Sequence, residues 1–230
     1  MIDESDVDLG LHEIGHGLEQ ARQGAAVVAM TSHDDADGGY WQCAGYTIER
    51  GGIEAMGDTA ASLAAGPAFT AMFDRRFQGI DTAEKLKNPI QMMLACAAIG
   101  VAENDIERIE ALPANDRTGK ILNHAMRFWM MTAMAQAPAW RALAEHAAHE
   151  VKEKGQFAMT GAHLRAMLDG THILDQMASI PGMFVTADSL TQIVKDVPTM
   201  CPQIAADEVV PLLSAPVTSG PTGAEVVLRN

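Results

Sequence analysis

The sequence is poor in basic residues, aromatics and cysteine, and it has no long hydrophobic run. Lys and Arg number 16 against 30 Asp and Glu, which gives a formal charge of −14 over 230 residues. Neutralising phosphates needs clustered Lys and Arg, so this balance argues against nucleic-acid binding. It also disfavours docking on anionic membranes. The two longest apolar stretches, Ala60–Phe73 and Pro89–Ala102, carry Gly-Pro or polar breaks. Both fall short of the ~20 residues that a span needs, so no membrane-crossing helix is expected. The segment Met1-Ile2-Asp3-Glu4-Ser5-Asp6 is acidic where a secretion signal would be basic and then apolar. Cys43, Cys96 and Cys201 are odd in number, far apart and form no CxxC. That pattern argues against a disulfide framework or a cysteine zinc site, and a reducing cytoplasm fits it best.

What is present points to helices. Aromatics make up 5% of the chain while methionine reaches 15 residues, a mix that favours helix over strand. The hydrophobic share of 48% supplies a proper core and excludes a disordered acidic tail. The patterning predicts a first helix over 5–23, with Leu9, Leu11, Ile14 and Leu18 on its apolar face and Gly24 as its stop. Strands are expected over 25–31 and 40–49, joined by the turn His33–Gly39, so a small hairpin or sheet is predicted. Further helices are expected over 53–73, 89–101, 105–112, 117–136, 140–154 and 161–169. A soft boundary falls near residue 172. The expected organisation is a domain over 1–172 and an extension over 173–230, with Ser214–Gly223 reading as a flexible tail.

One motif carries chemistry: His12-Glu13-Ile14-Gly15-His16, an HExxH. Four helical residues turn about 400°, so His12 and His16 lie about 40° apart on one face, one turn up. Two imidazoles placed so can bind one Zn²⁺. Glu13 beside them can take a proton from a water that the zinc acidifies. The competing reading is a solvated helix face that happens to carry two histidines.

A catalytic zinc takes three protein ligands and leaves one position for water. Asp105, in Glu103-Asn104-Asp105-Ile106-Glu107-Arg108, sits in the first turn of a short helix. Asp in that place also serves as an N-cap, bonding free backbone N–H groups. Asp116, in Ala114-Asn115-Asp116-Arg117, has the same local character and is the main rival third ligand. Asp81 is a weaker one. The residues alone leave this choice open.

His12-Glu13-Ile14-Gly15-His16, then Ala44-Gly45-Tyr46-Thr47, Ala65-Gly66-Pro67-Ala68 and Asn104-Asp105-Ile106-Glu107-Arg108 come in a recognisable order. Over roughly 8–170 the chain resembles the peptidase domain of FtsH-type ATP-dependent zinc proteases. The resemblance implies a mainly α fold with a small β-hairpin or sheet, a zincin-like helical HExxH metallopeptidase domain. It implies zinc held by His12, His16 and Asp105, with Glu13 as general base. It also implies that the strand over 40–49, through Gly45, Tyr46 and Thr47, lines the cleft and accepts an extended polypeptide by backbone pairing. The chain departs from that family in three ways. It has no Walker A motif, its Ala65–Thr70 segment lacks the family's acid, and Pro113 interrupts the helix after the aspartate. It is therefore similar to the peptidase half alone, like stand-alone bacterial or phage relatives.

Two functional classes follow. The first is a zinc-dependent endopeptidase acting on protein or peptide substrates. The alternative is a catalytically idle peptidase-fold protein with a binding or structural role, such as a phage or assembly component. A separate ATPase or assembly partner, or self-association, would fit either. Other features read more plainly. Glu145-His146-Ala147-Ala148-His149-Glu150 is a charged helix face, and His124, His163 and His172 are isolated. Asp34, Asp35 and Asp37 form a solvated turn without the twelfth-position Glu of an EF-hand. Met126, Phe128, Trp129, Met130, Met131 and Met134 read as core, with an oligomer contact as the other option.

Overall fold

The computed structural model describes residues 2–33, 40–49 and 52–169. The expected extension over 173–230, the tail Ser214–Gly223, Cys201, His172 and the Asp34, Asp35 and Asp37 turn lie outside the described residues. Among those described, the protein is mainly helical with one small sheet. The described residues divide into two compact units, each made of separate stretches of chain: 2–19 with 57–148, and 20–56 with 149–169.

The first unit is helical. It holds most of α1 (Glu4–Arg22), then α2 (Ala60–Phe73), α3 (Thr82–Lys87), α4 (Pro89–Ala98), α5 (Glu103–Glu110), α6 (Asp116–Ala135) and the first part of α7 (Ala137–Lys154). Local chemistry sets the starts. Asp3 Oδ1 accepts the backbone N–H of Ser5 at 2.9 Å and of Asp6 at 3.2 Å, which begins α1. Thr59 and Ser62 form a capping box at α2, and Asn115 caps α6 through the Thr118 N–H. Pro89 stands at the first turn of α4, where its missing N–H costs nothing. α2 carries Pro67 in its interior. It packs along α6. Phe69 of α2 meets Trp129 of α6 and Trp140 of α7 at ring-centroid distances of 6.3 and 6.1 Å, and all three are fully buried. The methionines of α6 divide. Met126 and Met130 join that core, whereas Phe128, Met131 and Met134 are exposed.

α1 is not the amphipathic helix that its pattern suggests. Every residue from Gly10 to Ala21 is buried, the polar ones included. Leu11, Ile14 and Leu18 are core as expected, and Leu9 is only half-buried. The reading of the histidines as a solvated face is thereby overturned. Glu19 on the same helix accepts the indole N–H of Trp129 at 3.0 Å, which satisfies part of a carboxylate that has no solvent exposure.

The second unit is built on an antiparallel sheet of order β3-β2-β1-β4, with β1 Val27–His33, β2 Tyr40–Glu49, β3 Gly52–Ala55 and β4 Gln156–Thr160. Gly24, at φ +108°, ends α1 as its sequence position suggests. Helix α8 (Gly161–Asp169) follows β4 and sends Arg165 Nη1 to the carbonyls of Ala21 and Ala25 at 2.8 and 3.0 Å, capping the end of α1. Two strands and one helix were not expected. β3 lies where a helix over 53–73 is predicted, and that helix begins only at Ala60. β4 fills the gap after Gly155, and α3 the one after Gly79. Among the described residues no helix is long and apolar enough to cross a membrane.

Candidate metal centre

Two antiparallel helices of the first unit build the site. Along α2, Ser62, Gly66 and Thr70 recur every four residues and so share one face. His16 and His12 of α1 meet that face in the opposite order. His16 Nδ1 lies 2.7 Å from the Ser62 carbonyl oxygen, and His12 Nδ1 lies 2.9 Å from the Thr70 hydroxyl. Both Nε2 atoms therefore turn toward Gly66. A Cβ there would press on His16 Nε2 and stand 2.8 Å from His12 Nε2. Gly15 is needed for the same approach, because its Cβ would come 2.5 Å from the Ala65 carbonyl oxygen. The small residues inside and opposite HExxH are what let α1 and α2 come this close.

α5 brings the carboxylate. Asp105 Oδ2 is 3.0 Å from His12 Nε2, Asp105 Oδ1 is 3.3 Å from His16 Nε2, and the two Nε2 atoms are 3.0 Å apart. Asp105 is not the N-cap of its helix, since that place belongs to Ala102 and offers no side-chain bond. It lies in the first turn and points inward, 5% exposed. Asp116 is exposed on the first turn of α6, behind its cap Asn115. Asp81 caps α3 by accepting the Ala83 N–H at 2.7 Å. Of the three aspartates weighed from sequence, Asp105 alone joins the histidines.

The donor set fits a metal ion. Among the described residues, His12, His16 and Asp105 are the group of three or more metal-binding side chains close enough to share an ion. Zn–N and Zn–O bonds of 2.0–2.1 Å in a tetrahedral arrangement separate ligand atoms by about 3.3 Å, close to the spacing found here. His16 Nδ1 faces a carbonyl, which only accepts, so Nδ1 keeps the hydrogen and Nε2 presents its lone pair. Asp105 Oδ2 is buried and has no aligned hydrogen-bond donor despite its nearness to His12. A buried carboxylate oxygen left in that state is costly, and a cation satisfies it.

The electrostatics agree. Burial would lower the His16 pKa, but the charge and hydrogen bond of Asp105, with Glu13 and the Ser62 carbonyl, raise it to about 9. Burial would raise the Asp105 pKa, and the two histidines hold it well below the ordinary carboxylate range instead. The pocket therefore favours a positive charge at its centre, as a proton or as a metal. Glu13, 6% exposed, sits on the same helix between the two histidines in sequence.

The remaining predicted residues lie in the sheet. Gly45 pairs with Val28 on one side and accepts the Met56 N–H at 2.8 Å on the other. Tyr46 pairs with Val27 and Ala55 and is buried, and Thr47 pairs with Glu54. Gly45 and Tyr46 thus have neighbours on both sides, which leaves no backbone edge there for an added strand. Among the described residues β2 is one-sided over 40–44, which pair with β1 alone, and over 47–49, Thr47 included, which pair with β3 alone. Gly45 has a packing reason to be glycine, because a Cβ would stand 2.9 Å from Gln20 Cβ. His149 of the other histidine pair is exposed, 3.4 Å from Glu153.

Sequence reasoning missed Ser62 and Thr70. Their signal was the four-residue spacing through Gly66, which matches the spacing of His12 and His16. No family model, curated protein or solved structure matches the chain. The functional reading therefore rests on the site itself.

Proposed function

We propose that the protein is a zinc-dependent metallopeptidase that hydrolyses peptide bonds in protein or peptide substrates. The observation that carries this reading is the meeting of His12 Nε2, His16 Nε2 and Asp105 within 3.0–3.3 Å beside a buried Glu13. Zinc held by those three residues would polarise the scissile carbonyl and lower the pKa of a water to about 7. Glu13 takes the proton of the attacking water and passes it to the leaving amine, so that one carboxylate serves both halves of the reaction. The Ser62 carbonyl keeps His16 in the tautomer that leaves Nε2 as ligand, and the Thr70 hydroxyl, able to accept from His12 Nδ1–H, orients the other imidazole. The test is Glu13→Gln in the zinc-loaded full chain, measured on an unfolded fluorogenic protein substrate. Hydrolysis is expected to vanish while zinc content stays stoichiometric, and unchanged hydrolysis would refute the mechanism.

A second reading is a metal-stabilised binding or structural protein without turnover. It is favoured by the closure of the site, where His12, Glu13, His16 and Asp105 are only 4–8% exposed. A polypeptide needs wider access than that. Full zinc occupancy without hydrolysis of any unfolded or peptide substrate would select this reading.

A further inference from the structure

Helix α5 contributes little apolar surface to hold it in place. It is eight residues long, its N-cap Ala102 offers no side-chain bond, and Asp105 is its one buried side chain. A helix of that length is not stable by itself. Arg108, one turn beyond Asp105 on the same side of the helix, forms an ion pair with Asp58. Asp58 immediately precedes Thr59, which opens α2 in its capping box with Ser62. Ser62 is in turn the residue whose carbonyl holds His16. At the turn before α5, Arg76 Nη1 reaches the Ile99 carbonyl at 3.3 Å while Asp74 fixes the same guanidinium at 2.6 Å. The Asp58–Arg108 pair thus ties the helix bearing the carboxylate to the start of the helix that orients the imidazoles.

We propose that Asp58 and Arg108 are positioning residues for the metal centre, setting the rotation and depth of α5 at which Asp105 meets His12 and His16. This inference rests on the reading of those three residues as metal ligands. The pair is part-exposed, 28% at Asp58 and 40% at Arg108. Ion pairs of that kind add little to global stability. Their contribution here lies in where Asp105 stands, because a carboxylate displaced by about 1 Å no longer completes a ligand set.

The experiment uses the full chain, loaded with Zn²⁺ or Co²⁺. Wild type is compared with Arg108→Gln, Asp58→Asn and the exchanged double variant carrying Asp58→Arg and Arg108→Asp. Zinc affinity is read by competition with a chromogenic chelator, ligand geometry from the visible absorption of the cobalt form, and folding from metal-free melting. Each single variant is expected to weaken zinc binding about ten- to hundredfold, the range for outer-shell partners. Its cobalt absorption should fall while its metal-free melting stays close to that of wild type, and the exchange should recover much of the affinity. Wild-type affinity and spectrum in both single variants would overturn the positioning role. So would a loss of metal-free stability that accounts for the whole loss of affinity. A wild-type chain that binds neither metal would instead overturn the metal-centre reading, and this inference with it.

Discussion

The Ser62 carbonyl oxygen lies 2.7 Å from His16 Nδ1, and that bond decides which imidazole nitrogen faces the site. A carbonyl cannot donate, so Nδ1 must carry the hydrogen and Nε2 is directed at His12 and Asp105. Ser62 does this through its backbone, and the role survives any side chain that keeps α2 in place. Thr70 holds the His12 ring through its side-chain hydroxyl, which is able to accept from Nδ1–H, so that role is open to substitution.

Thr70→Val removes the hydroxyl at nearly constant volume. It leaves His12 Nδ1 facing a methyl group in a buried place, 3% exposed at Thr70. Zinc affinity is expected to fall about ten- to hundredfold, as for other outer-shell partners, while Thr70→Ser retains most of it. Competition titration of the two variants checks this, and equal affinities would show that the hydroxyl does not orient His12.

Asp105→Ala removes a ligand rather than a supporter. Its effect on zinc affinity is expected to exceed the roughly hundredfold limit typical of outer-shell changes. Asp116→Ala, at an exposed helix start, should leave affinity unchanged. The reverse pattern in isothermal titration would return the third ligand to Asp116.

Gly66→Ala places a methyl group against both Nε2 atoms. The variant is expected to lose metal binding, and to lose stability by about 1–3 kcal/mol from overpacking. Denaturant melts and metal content, measured on the same preparation, separate the two effects. A variant with native stability and full zinc would contradict the close approach of α1 and α2.

Stability of the metal-free protein should depend on pH with a definite sign. The His16 pKa is raised in the folded state from its ordinary 6.5 to about 9. Between those values the native state binds the extra proton, so the stabilisation is complete below 6.5 and is lost as pH rises through about 9. Asp105 is shifted down, so its share is present above its ordinary 3.8 and is lost as pH falls. Melting temperature in the presence of chelator is expected to decline from pH 6.5 to 9. Zinc binding displaces the same proton and should tighten over that range. A metal-free melting temperature that does not fall between those pH values would refute the coupling of His16 to Asp105.

Much of the helical layout was legible in the sequence because its signals are local. Gly24 ends α1 and Pro89 starts α4 at the expected boundaries, whereas α2, expected from 53, is opened only at Ala60 by the capping box of Thr59 and Ser62. β3 and β4 were missed because their reasons are not local. β4 is five residues whose partner is β1, far away in the chain, and β3 is four residues that pair with the end of β2. Short apolar runs of that kind take their conformation from what they pair with.

By itself the sequence determined that His12 and His16 share a helix face with Glu13 beside it, since 3.6 residues per turn fixes that relation wherever the helix lies. It could not decide whether that face was wet or buried, or which aspartate joined it. Asp81, Asp105 and Asp116 all stand at helix starts, where cap chemistry looks the same from the local sequence. Only the packing of α1, α2 and α5 separates them. It buries Asp105 against two imidazoles, while Asp81 caps its own helix and Asp116 faces solvent.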